Sequence, residues 1–107
     1  MEMITKEKQK QYLKILGFKY EIKIVEPNEM NEGLDGICDD TNLTILVKRN
    51  KIMVSTLIHE IIEAINTNMD FQWDHDIILQ LETSLRSILL DNNLLNLKKI
   101  NEILGKK

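Results

Sequence analysis

The sequence predicts a small α+β domain: a short antiparallel sheet of about three strands, then a helix carrying a His-Glu motif, a second helix packed on it, and a C-terminal helix. Three observations carry this expectation. Apolar residues recur at period two before Lys48 and at the helical period from Ile52 onward. The 107 residues hold 43% apolar and 29% charged side chains with one Pro and four Gly, the balance of one globular domain over residues 1–107. Turn-forming clusters at 27–28, 39–42 and 66–68 separate the periodic stretches.

Residues 1–16 admit two readings. Thr5 before Lys6, Glu7 and Lys8, with Tyr12, Leu13, Leu16 and Gly17 following, fits a helix with a Thr cap and a Gly stop. Residues 12–16 also alternate loosely, which fits a strand. Residues 18–26 are a strand, because Phe18, Tyr20, Ile22 and Ile24 alternate with Lys19, Glu21 and Lys23. Pro27 and Asn28 end it, and the acidic stretch 28–36 is a loop. Ile37 and Cys38, a turn at 39–42 and a strand at 43–48 form a hairpin.

The period then becomes helical. Leu57, Ile58, Ile61, Ile62 and Ile65 share an arc of about 140°, and Thr56, His59, Glu60, Glu63, Asn66 and Thr67 fill a separate arc of about 120°. Ser55 marks the start and residues 66–68 the stop. After Phe71 and Trp73, Asp74 caps a second helix whose apolar stripe is Ile77, Ile78, Leu81, Leu85, Ile88 and Leu89, ending near 91–93. Leu94, Leu97, Ile100, Ile103 and Leu104 predict a last helix stopped by Gly105.

Composition narrows the function classes. Cys38 is the single cysteine, so a disulfide framework or a multi-cysteine zinc finger is excluded and a reducing cytoplasm is expected. No apolar run approaches membrane-spanning length, and the start has no apolar leader core, so no membrane partner is expected. The lysines are scattered and the aromatics few, which argues against nucleic acid. The net charge is -3, but residues 54–85 carry six acids and no Lys or Arg, and both histidines fall inside that stretch.

His59-Glu60-Ile61-Ile62-Glu63 sets His59 and Glu63 at i and i+4, about 5–6 Å apart at Cβ on one helical face. An imidazole and a carboxylate so placed can grip one ion, and a catalytic zinc takes three protein ligands. His75, twelve residues after Glu63, opens the next helix, and a helical hairpin would bring it to the pair. Glu60 is rotated by about 100° from the ligand face, the place of a base rather than a ligand.

Together these features resemble the short metal-binding proteins related to the ImmA/IrrE zinc metallopeptidases, common in phages and prophages. The similarity covers roughly residues 36–93. The family carries H-E-x-x-H with a carboxylate in the following helix; here Glu63 stands where the second His is expected and His75 stands near the expected carboxylate. The resemblance implies a minimal zincin-like fold, one Zn2+ held by His59, Glu63 and His75, and Glu60 as general base in peptide hydrolysis. It also implies a bacterial host cytoplasm and a polypeptide substrate lying along the edge of strand 43–48.

Other readings stay open. A solvated polar face yields H-E-x-x-E at the same spacing. Glu82, seven residues after His75, is an alternative ligand, a partner for an imidazole N–H, or a surface carboxylate. Asp70, Asp74 and Asp76 read as loop and cap residues, Phe71 and Trp73 as closing the core edge or lining a pocket, Cys38 as a small strand residue rather than a nucleophile, and Tyr12 and Tyr20 as distant oxyanion candidates whose default role is packing. Alternative functions are a non-catalytic protein binding a host or phage protein, and a helical-hairpin oligomerisation module.

Overall fold

The computed structural model describes residues 10–105. It is α+β, with four strands, β1 (Gln11–Ile15), β2 (Phe18–Val25), β3 (Gly36–Asp39) and β4 (Thr44–Lys48), followed by helices α1 (Met53–Met69), α2 (His75–Asp91) and α3 (Leu97–Ile103). The 12–16 alternation resolves as strand β1; the Thr5 cap and the Lys6-Glu7-Lys8 run lie outside the described residues. A two-residue turn joins β1 to β2, with both Leu16 (φ 51°) and Gly17 (φ 87°) left-handed, the backbone that matches hairpin twist.

Four strands agree roughly with the expected three, but the sheet is mixed and not purely antiparallel. Its order is β1-β2-β4-β3: β1 and β2 are antiparallel, β3 and β4 are antiparallel, but β2 and β4 are parallel, with Ile22 opposite Ile45 and Ile24 opposite Val47. Alternation tells which face a side chain takes, not which way its strand runs. The segment 26–43 sends β3 to the far edge, and β4 returns between β3 and β2. The centre falls to β4 because it is the strand best supplied for it: Ile45 and Val47 are fully buried.

Helices cover one face of the sheet. Tyr20, Ile22, Ile45 and Val47 meet Met53, Leu57 and Ala64 of α1, and Ile103 and Leu104 close the core from the C-terminal end. Helix α1 begins at Met53, ahead of the expected Ser55; Asn50 Oδ1 accepts from Ile52 N at 2.9 Å, and Ser55 is drawn instead towards α2. It ends on Asp70, left-handed at φ 54°. Asp74 caps α2 as expected, accepting from Ile77 N at 3.0 Å. The last helix starts three residues later than Leu94 suggested, since Asn96 is the cap, accepting from Lys99 N at 3.1 Å.

Two apolar expectations shift. Of α2 only Ile78 and Glu82 are buried, while Ile77, Leu85 and Ile88 remain exposed, because α1 covers a narrower strip than the apolar stripe provides. On α1, Thr56 and Glu60 belong to the polar arc yet are buried, because β3 packs over them. Among the described residues no helix is long and apolar enough to cross a membrane.

Candidate metal centre

Helix α1 supplies His59 and Glu63 one turn apart, and Asp74 starts α2 so that His75 occupies its first position. His59 Nε2 faces Glu63 Oε2 at 3.4 Å. The rings of His59 and His75 meet edge to face, centroids 5.5 Å apart. One donor atom from each of His59, Glu63 and His75 lies within 4.8 Å of the others.

A tetrahedral zinc with bonds of about 2.0–2.2 Å holds its donors about 3.3–3.6 Å apart. The His59–Glu63 pair already matches that separation. His75 is exposed and can supply the remaining approach by side-chain rotation. Two imidazole nitrogens and one carboxylate oxygen also form the mixed donor set of a catalytic site with an open fourth position.

Glu60 is 7% exposed and faces the same cleft. Burial, reinforced by the charges of Glu63 and Asp40, pushes its carboxyl up to about 7. Its carboxylate lies under Gly36, where a Cβ would stand 3.0 Å from Glu60 Oε2 and 2.5 Å from Thr56 Cγ2. Gly36 therefore lets β3 pass directly over the buried part of α1. No residue pattern marks this contact, since the close approach is tertiary.

The cleft has a volume of about 330 Å³ and runs from the 33–36 loop past Ser55, His59 and Glu60 to His75, Leu79 and Glu82. A larger cavity, about 620 Å³, lies between β2 and α3 and holds none of the candidate residues. Among the described residues, the strand with a free edge beside the centre is β3, not the 43–48 strand, which is hydrogen-bonded on both sides.

The remaining candidates fall away from the chemistry. Asp40 accepts from Tyr20 Oη at 2.7 Å and from Cys38 Sγ at 3.4 Å. Burial and that hydrogen bond push Tyr20 up to about 12, while burial and the Asp40 charge push the Cys38 thiol well above its usual range, so neither is poised to ionise. Tyr12 is exposed beneath the Lys19 ammonium, 4.4 Å from its ring centroid. Phe71 and Trp73 stack on each other at 4.6 Å in the α1–α2 connection, where Trp73 N donates to Asn66 Oδ1 and Asn66 Nδ2 donates to Trp73 O. Glu82 is not the surface carboxylate that was one of its readings: it is 7% exposed and accepts from Ser55 Oγ. Its place seven residues after His75 was the available signal.

Comparison with protein-family models, with curated proteins and with solved structures found no match to this chain.

Proposed function

We propose that this protein binds zinc and hydrolyses peptide bonds in the manner of a zincin. The observation that carries the reading is the meeting of His59, Glu63 and His75 donor atoms within 4.8 Å, beside a buried carboxylate, Glu60, that belongs to the same cleft. The resemblance of the His-Glu helix to the ImmA/IrrE type, carried by the same residues, agrees with it.

Zinc held by the three side chains would polarise a peptide carbonyl and lower the pKa of a bound water towards about 7. Glu60 accepts the proton released as the water oxygen bonds to the carbonyl carbon. It then delivers that proton to the amine nitrogen as the carbon–nitrogen bond breaks. A carboxylate whose proton affinity sits near neutrality suits both halves of that exchange. The free edge of β3 offers backbone hydrogen bonds to an extended polypeptide running past Glu60.

Metal analysis of protein purified without added zinc tests the reading. Stoichiometric zinc is expected, and His59→Ala should lose it; a metal-free wild type that gains no stability from zinc would sink the proposal. Glu60→Gln should keep the metal and abolish hydrolysis of a candidate polypeptide.

One observation favours a second reading, a binding protein on the same scaffold. Ile77, Leu85, Ile88, Leu94 and Leu97 are between 41% and 64% exposed, more apolar surface on α2, α3 and the connection between them than catalysis requires. A biological effect that survives Glu60→Gln decides for that reading.

A further inference from the structure

We infer that Glu82 is a positioning residue for His59: it holds the proton of the ring on Nδ1, so that the Nε2 lone pair is the one presented to a cation. The inference rests on the metal reading of His59 and asks what orients that ligand.

The two ring nitrogens of His59 face different carboxylates. Nε2 lies 3.4 Å from Glu63 Oε2, on the side shared with His75, while Nδ1 lies 3.7 Å from Glu82 Oε1. Neutral imidazole carries one N–H and one lone pair, and whichever nitrogen is hydrogen-bonded to an acceptor keeps the proton. Both nitrogens face an acceptor and Glu63 is the nearer, but its side chain is 32% exposed and water can solvate it, whereas that of Glu82 is 9% exposed. A proton on Nδ1 satisfies the buried oxygen and leaves Nε2 free beside Glu63.

Glu82 is built to stay in place. Its Oε2 accepts from Ser55 Oγ, one turn before His59 on α1, and from Arg86 Nε at 3.3 Å, one turn on along α2. These two donors come from both helices of the hairpin and leave Oε1 for His59. Burying a carboxylate is costly unless it is paired, and Arg86 is only partly buried, so the imidazole N–H completes the set of partners. The 3.7 Å separation is longer than a hydrogen bond. Contacts of this kind are often loose in the empty site and tighten on loading.

This geometry also decides between the readings of Glu82. Its oxygens lie on the Nδ1 side of the ring, and the converging donor group is His59, Glu63 and His75 without it. Glu82 acts through His59 and does not ligate.

The test uses the full chain and two variants, Glu82→Gln, which keeps an acceptor oxygen, and Glu82→Leu, which keeps packing and removes both oxygens. Long-range proton–nitrogen NMR spectra of the metal-free protein at mildly alkaline pH read the tautomer directly. The wild type should carry the His59 proton on Nδ1, Glu82→Gln should largely retain it, and Glu82→Leu should lose the preference while still melting cooperatively. Zinc affinity, measured by chelator competition, should fall about 10–100-fold in Glu82→Leu and less in Glu82→Gln. A wild-type proton on Nε2, or a Glu82→Leu protein with unchanged tautomer and zinc affinity, overturns the inference. A wild type that shows the Glu82-dependent tautomer but binds no zinc upholds the pairing and overturns the metal reading instead.

Discussion

Gly36 lies so close to Glu60 that a methyl group added to it would stand 3.0 Å from Glu60 Oε2, with Leu46 O also at 3.0 Å and Thr56 Cγ2 at 2.5 Å. Strand β3 and helix α1 thus share a seam in which the proposed base is buried by backbone. Gly36→Ala is expected to force that seam apart and to cost about 1–3 kcal/mol, the usual penalty of overpacking. Thermal or denaturant unfolding checks the cost. Because Glu60 Oε2 is among the crowded neighbours, behind Thr56 Cγ2, hydrolysis should fall further than stability while zinc affinity changes little.

Burial of Glu60 makes the metal-free protein sensitive to pH. Its carboxyl rises from 4.5 to about 7 on folding. Below the lower value both folded and unfolded states hold the proton, and the contribution to stability is fully present. Between the two values the folded state binds more protons than the unfolded state, so stability falls as pH rises and is lost through about 7. The full loss is at most about 3 kcal/mol, at about 1.4 kcal/mol per tenfold change in proton concentration. Urea unfolding of chelator-treated protein across that window should show the decline, and Glu60→Gln should flatten it. A flat wild-type profile would show that Glu60 is better solvated than its 7% exposure implies.

What was legible in the sequence was local. The Asp74 cap, the Gly105 stop and the period change at Ile52 depend on neighbours within a turn, and each was read at or close to its position. Residues 12–16 stayed ambiguous because their alternation is loose and Leu16 is not a residue that announces a left-handed turn. The parallel pairing of β2 with β4 was hidden because side-chain alternation carries no strand direction. At the site, the i, i+4 pair of His59 and Glu63 is a property of one helix, and His75 could be placed by its spacing. The burial of Glu60, Thr56 and Glu82 depends on which element packs above them, and a polar residue on a helix face carries no mark of its cover.

The β1–β2 turn contains a correctable misfit. Leu16 has φ 51° and is 52% exposed, so it bears the cost of a left-handed backbone without burying much in return. Asn tolerates that conformation and precedes Gly in the preferred two-residue hairpin turn. Leu16→Asn should therefore stabilise the protein by roughly 0.5–1 kcal/mol, of the size seen for other backbone-compatible replacements. Melting temperature at fixed pH is the readout, and zinc binding should be untouched, since Leu16 belongs neither to the cleft nor to the donor group. A drop in melting temperature would mean that the Leu16 side chain contributes packing its exposure does not reveal.

His75 separates the ligand reading from a structural one most cleanly. It is exposed, so His75→Ala removes little packing and should change metal-free stability by no more than about 0.5 kcal/mol. A cation that binds only the folded chain adds about 2.7 kcal/mol when its free concentration is one hundred times its dissociation constant. For a domain of this length that is a rise on the order of 10 °C or more in melting temperature. Wild-type protein should show the rise with zinc and lose it on chelation, whereas His75→Ala should melt at the metal-free temperature with or without the ion. Calorimetric melts with and without zinc check it. An equal zinc-induced rise in both proteins would remove His75 from the ligand set, and the three-donor centre would fail with it, because the two-histidine sequence holds no spare imidazole.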